Sequence, residues 1–150
     1  MEVLAYDLFE VPSSLELEFA GGVKLSLPVQ AVISVDELVK TADFISLHVP
    51  FSEKPVLGKE EFDNMKPGVG IVNCSRGGTV DEDALIEALN AGQVGFAGLD
   101  VFDNEPTPRQ DLLTHPKISL TPHIGAATNE AQERIGTELA NLMIDFFKSK

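Results

Sequence analysis

The chain has 150 residues, 43% of them apolar and 23% charged, with a formal net charge of −13 and one cysteine. A chain of this length buries roughly 70% of its unfolded surface in one core, and the composition excludes the disordered, collagenous and disulfide-built classes. Eleven basic against 24 acidic side chains repel phosphate backbones and anionic lipid, which argues against nucleic-acid and membrane partners.

Cys74 has no second cysteine to pair with, no apolar run nears the ~20 residues that cross a bilayer, and Met1-Glu2-Val3 does not open a basic-then-apolar leader. These features point to the reducing cytoplasm.

Val3-Leu4-Ala5-Tyr6 is a short apolar run closed by Asp7, the pattern of a buried strand entering a loop. From Leu15 to Leu27 apolar and polar residues alternate around Gly21-Gly22. That predicts a β-hairpin, with a helix over residues 13–20 as the competing reading. Ser34 followed by Glu37 is a capping box, and Val35, Leu38 and Val39 predict a short helix ending near Thr41. Phe44-Ile45-Ser46-Leu47 predicts a strand with His48-Val49-Pro50 at its carboxyl end. Residues 59–65 suit one or two helical turns, stopped by Lys66-Pro67-Gly68 before an apolar strand, Val69 to Val72. Asp81 caps a helix whose face is Ala84, Leu85, Ala88 and Leu89 and whose end is Asn90-Ala91-Gly92. A Gly-rich strand over 96–102, a proline-bearing loop and a strand over 117–120 follow. Thr128 then opens a long helix in which Ala131, Ile135, Leu139, Leu142, Met143 and Phe146 predict one hidden face. Strand, helix, strand in repetition implies an α/β fold with a parallel sheet and right-handed crossovers.

In such a sheet ligands bind beyond the carboxyl ends of the strands. Asp7, His48, the run Asn73 to Gly78, the run Asp100 to Glu105, and His123 all stand there. Each has an ordinary reading: Asp7 as a strand-ending cap, His48 as a half-buried spacer, Arg76 as a surface ion-pair partner, Glu105 as a loop carboxylate. Together Arg76, Glu105 and His123 suggest a device. The planar guanidinium of Arg76 matches a carboxylate bidentately, His123 is of the residue type suited to proton transfer at working pH, and Glu105 against its ring would fix the tautomer. That set suits reversible protonation of an oxygen on a carbon that gains or loses hydride, with the redox chemistry left to a cofactor. His115 is explained by its turn, Cys74 lacks a neighbouring histidine to activate it, and no Cys or His spacing suits a metal.

Asn73-Cys74-Ser75-Arg76-Gly77-Gly78-Thr79-Val80-Asp81-Glu82, then Gly98-Leu99-Asp100-Val101-Phe102 with Glu105-Pro106, then Thr121-Pro122-His123-Ile124-Gly125 carry a resemblance. They closely resemble the signatures of the D-isomer-specific 2-hydroxyacid dehydrogenases, NAD-dependent enzymes of two domains, and the likeness covers about residues 34–147. It implies a Rossmann-like, doubly wound, mostly parallel sheet, NAD as cofactor and a small anionic 2-hydroxy acid as substrate. Carried over by motif, Arg76 would hold the substrate carboxylate, His123 would be the general acid and base, and Glu105 would pair with its imidazole. Asp100 would face the nicotinamide carboxamide, Cys74 and Ser75 would line the nicotinamide, His48, Val49 and Pro50 would flank the adenosine half, and Asp7 would take the ribose hydroxyls.

The chain also departs from the pattern. Residues 1–150 contain no Gly-x-Gly-x-x-Gly loop with its strand and helix, and residues 8–33 follow the family poorly. The expectation is a partial NAD-binding domain over 1–150, without the family's substrate domain and inactive in isolation. The absent strand is expected between the strand of Val3 to Tyr6 and that of Val69 to Val72, leaving two half-sheets with open edges. Open edges and the final helix favour a homo-oligomer. The alternative is a non-catalytic interaction module, like family relatives that act as corepressors.

Overall fold

The computed structural model describes residues 2–148. Its strands fall into two sheets. The larger is built where apolar runs are longest: β4 (Phe44–Leu47), β5 (Val69–Asn73), β6 (Val94–Leu99) and β7 (Ile118–Leu120) lie parallel in that order. The smaller has the order β1-β3-β2, with β1 (Val3–Ala5) parallel and β2 (Ser14–Glu18) antiparallel to β3 (Lys24–Ala31).

Alternation along the strands decides which face is covered. Ile45, Ile71 and Ala97 lie in register across the larger sheet and are at most 5% exposed. They share one core with Val39 of α1 (Val35–Thr41), Phe62 of α2 (Lys59–Asn64), Leu85 and Leu89 of α3 (Glu82–Ala91) and Leu112 of α4 (Gln110–Leu113). Each fully buried leucine there stabilises the fold by about 1.5–3 kcal/mol. On the opposite face Phe44 and Phe96 flank Gly70, ring centroids 6.2 Å apart, and both rings remain exposed. A Cβ on Gly70 would meet the Phe96 ring at 2.5 Å, so the pair excludes a side chain there.

The caps follow the sequence. Asp81 accepts from Ala84 N at 3.0 Å, and α3 ends on Gly92 at φ 79°. Ser34 accepts from Glu37 N at 3.1 Å, but the Glu37 carboxylate reaches back to Ile33 N instead of Ser34 N. Residues 14–31 form the hairpin and not the competing helix, with Gly21 and Gly22 at positive φ in its turn.

Three expectations need correction. β6 runs Val94–Leu99 and not to Phe102, because Phe102 N is taken by the Glu105 carboxylate in the following loop. β5 is paired on both sides, by β4 and β6, so the open edge of the larger sheet is β4 and not the strand of Val69 to Val72. The final helix, α5 (Asn129–Lys148), buries none of its residues: Ile135, Leu139 and Leu142 are each more than half exposed. Helical periodicity shows which face asks for cover; it does not supply the cover.

Candidate active site

Leu47, Asn73, Leu99 and Leu120 are in register across the four parallel strands, which therefore end level. The residues just beyond them, His48, Cys74, Asp100 and Thr121, form one row at the carboxyl edge. The ladder continues into this row through Asp100 N to Asn73 O at 2.9 Å and Thr121 N to Leu99 O at 3.0 Å.

Three loops leave the row, and side chains stitch them together. Asn73 organises the first: its Oδ1 accepts from Ser75 N and Oγ, and its amide donates to Arg76 O and Thr79 Oγ1. Gly77 then passes so close to the Phe102 carbonyl that a Cβ would collide with it. Gly78 N donates to Asp103 Oδ1 at 2.6 Å, and Asp103 N to Glu82 at 2.9 Å, tying the first loop to the second. Burial first, and then the Asp103 charge, push the Glu82 carboxyl up, against the opposing pull of its backbone bond from Asp103 and of Arg109.

Asp100 ties the third loop to the row. It is 2% exposed, and its carboxylate accepts from Thr121 Oγ1, Ile124 N and Gly125 N. Burial pushes its pKa up, yet these bonds outweigh burial and the group lies below the ordinary carboxylate range. The loop so held contains His123 at φ 53°, a left-handed conformation costing about 1–2 kcal/mol for a non-glycine residue. Strain of this kind persists where the surroundings over-determine it, and it marks functional positions.

The strained residue meets its partner directly. His123 Nδ1 lies 2.6 Å from Glu105 Oε2, and Glu105 Oε1 accepts from Phe102 N at 3.0 Å. The bond from His123, and then that from Phe102, hold the Glu105 carboxyl below its ordinary range. A carboxylate only accepts, so Nδ1 carries the proton and Nε2 presents its lone pair outward. Beside the pair opens a cleft of about 420 Å³ whose walls include Phe102, Pro106, Leu113 and Pro122.

The other expected residues divide. Arg76 is exposed, its Nη1 donating to Ser75 O at 2.6 Å, and it forms no ion pair among the described residues. By contrast Arg109 is neutralised by Asp111 and Asp83, which drive its pKa upward. Cys74 is exposed at the row, and a Cβ on Gly125 would lie 3.9 Å from its own. Ser75 is 7% exposed and its hydroxyl donates to Asn73, so it braces the loop. Three of Asp100's roughly four acceptor positions are likewise spent on the His123 loop. His48 is exposed, bonded to Ser46 at 2.9 Å, with Val49 half-buried and Pro50 exposed beside it. Asp7 lies apart from all of these, beyond β1 of the other sheet, where its carboxylate caps Phe9 N at 3.0 Å. Among the described residues no group of His, Cys, Asp or Glu could hold a metal ion, and no helix is long and apolar enough to cross a membrane.

Residues 1–125 match the family described as D-isomer specific 2-hydroxyacid dehydrogenase, NAD binding domain. The chain belongs to this family. A hydroxypyruvate reductase of Thermotoga maritima is 43% identical over 144 residues, which are 93% of this chain and 43% of the relative. D-3-phosphoglycerate dehydrogenase 2, chloroplastic, of Arabidopsis thaliana is 44% identical over 122 residues, 79% of this chain and 20% of the relative. Among solved structures, a D-lactate dehydrogenase from Aquifex aeolicus complexed with NAD and lactic acid superposes with a TM-score of 0.75 at 30% identity. That match covers 99% of this chain and 47% of the other. The chain thus spans less than half the length of these dehydrogenases. The parallel sheet of β4 to β7 is the Rossmann-like sheet the motifs imply. Cys74, Arg76, Asp100 and the Glu105–His123 pair stand at one carboxyl edge, the edge at which a parallel α/β sheet takes its ligand. They supply no glycine-rich cradle for the diphosphate.

Proposed function

We propose that this chain is the catalytic-edge portion of an NAD-dependent oxidoreductase that interconverts a 2-hydroxy acid and its 2-oxo acid. The observation that carries the reading is the 2.6 Å contact of His123 with Glu105 on a loop held in left-handed geometry. When bound, NAD supplies the hydride acceptor or donor. His123 Nε2 takes the hydroxyl proton as the C2–H bond breaks with its electron pair, leaving a carbonyl and an imidazolium. The reverse reaction returns that proton to the nascent alkoxide. Glu105 stabilises the imidazolium without itself taking the proton. Arg76, which has no acidic partner among the described residues, holds the substrate carboxylate as a two-pronged clamp.

The finer reading is a D-3-phosphoglycerate dehydrogenase, the first step of phosphorylated serine synthesis in the cytoplasm. It is supported by several relatives of that name at 42–44% identity. Supporting an interaction module instead are the exposed apolar residues of α5 and the open strand edges. The isolated chain lacks a diphosphate cradle, so titration calorimetry is expected to show NAD affinity weaker than micromolar and assays no turnover. The site itself is tested by nuclear magnetic resonance with oxamate, a carboxylate mimic of a 2-oxo acid. Oxamate is expected to shift the side-chain signals of Arg76 and His123 in the native chain and to leave His123 unmoved in Arg76→Ala. Absence of any shift at either residue up to tens of millimolar would sink the proposal.

A further inference from the structure

A carboxylate clamp and a proton carrier act on one small molecule only if the loops that bear them keep a fixed spacing, since a misplacement of about 1 Å can cost on the order of a hundredfold in rate. Arg76 and His123 share no hydrogen bond among the described residues. The segment Phe102-Asp103 lies between their loops and touches both. On one side the Phe102 N–H donates to Glu105 Oε1 at 3.0 Å, and Glu105 Oε2 accepts from His123 Nδ1. On the other side Gly77, the residue after Arg76, rests on the same stretch: a Cβ there would lie 2.0 Å from Phe102 O and 3.1 Å from Asp103 N. Contact alone resists approach but not separation. The Asp103 carboxylate supplies the pull, accepting from Gly78 N at 2.6 Å.

Two further observations single out this carboxylate. Its own backbone is anchored, Asp103 N donating at 2.9 Å to Glu82 Oε1 at the start of α3. Arg109 lines the same cavity as Asp103 and Gly78, yet its guanidinium is taken by Asp83 and Asp111, and Asp103 forms no ion pair among the described residues. An exposed aspartate with a guanidinium in its own cavity is thus directed at a backbone N–H.

We propose that Asp103 is a positioning residue: its bond to Gly78 clamps the Arg76 loop onto the Phe102 strut and so sets the distance between the guanidinium and the His123 imidazole. The use of that distance rests on the dehydrogenase reading; the clamp itself rests on geometry. A bond from N–H to a carboxylate is roughly twice as strong as one to a neutral acceptor, so the clamp is weakened in Asp103→Asn and lost in Asp103→Ala.

The test compares the native chain with these two variants, the β6 amides serving as the internal measure of folding. Deuterium exchange at the Gly78 amide is expected to be at least about tenfold faster in Asp103→Ala and a few-fold faster in Asp103→Asn, with β6 unchanged. Backbone order parameters of residues 76–78 are expected to fall from about 0.85 toward about 0.6 in Asp103→Ala. Oxamate is expected to bind that variant at least about tenfold more weakly, with Asp103→Asn in between. The His123 ring-nitrogen shifts without ligand are expected to be the same in all three, because Phe102 and not Asp103 holds the Glu105–His123 contact. Native exchange and order at residues 76–78 in Asp103→Ala would overturn the clamp, as would β6 exchange that speeds in step with Gly78. Loosening of residues 76–78 with native oxamate affinity would overturn the positioning role. A native chain that ignores oxamate, while the order of residues 76–78 still depends on Asp103, would sink the dehydrogenase reading and leave the clamp standing.

Discussion

At the residue scale the decisive side chain is Asp100, which motif reading assigns to the cofactor and the structure turns largely toward the protein. Its carboxylate collects a hydroxyl and two backbone N–H groups from residues 121–125, the loop that carries His123. In Asp100→Asn one acceptor oxygen becomes an NH2 facing a backbone donor, and a buried unpaired donor costs about 1–3 kcal/mol. Asp100→Asn is therefore expected to lower the unfolding free energy by about that amount in urea titration and to speed amide exchange at Ile124 and Gly125. An unchanged midpoint with unchanged exchange would show that the loop stands without this anchor. The pairing of Glu105 with His123 was legible because the two residue types are matched to each other. Asn73 and Thr121 were not, since a hydrogen-bonding brace leaves no periodicity and no unusual residue type.

At the element scale, legibility tracked how local the cause was. α3 was readable from end to end, because its cap, its apolar face and its glycine stop lie within twelve consecutive residues. The hairpin of β2 and β3 was readable from alternation around two glycines, although propensity alone left a helix open. β6 ended early because the Phe102 N–H is claimed by a carboxylate three residues on, a competition that strand patterns do not encode. α5 shows what an unpartnered helix implies for stability. With no residue buried, its persistence depends on propensity and local pairs, and Gly136 sits in its interior with nothing within 4 Å of an added Cβ. Gly136→Ala is therefore expected to stabilise α5 by about 0.5–1 kcal/mol, seen as greater helical ellipticity at 222 nm, without moving the unfolding midpoint of the β4–β7 core. A loss of helicity in that variant would mean that the glycine meets a partner.

At the scale of the whole molecule, acid response separates the carboxylates by their sign. Glu105 and Asp100 are held below their ordinary values of 4.5 and 3.8, so each contributes stability that is present above those values and lost as pH falls through the depressed folded one. Glu82 runs the other way. Its pKa is raised chiefly by burial, so the folded state binds its proton more readily, and its ionised form opposes folding above the ordinary value of 4.5. Glu82→Gln keeps an acceptor for Asp103 N while removing the buried charge. It is expected to raise the urea midpoint at pH 7 and to lose that advantage as pH falls below 4.5, where native Glu82 is protonated in the folded state and increasingly in the unfolded one. Glu105→Gln should do the reverse, destabilising at pH 7 and converging on the native chain as pH falls from 4.5 through the depressed folded value, because the bond that His123 makes to an ionised carboxylate exists only while Glu105 is charged. The two variants, measured in parallel from pH 7 to pH 3.5, thus bend the native curve in opposite directions. If both bent it the same way, the acid response would arise from the −13 net charge as a whole and not from the two loops that the carboxylates hold.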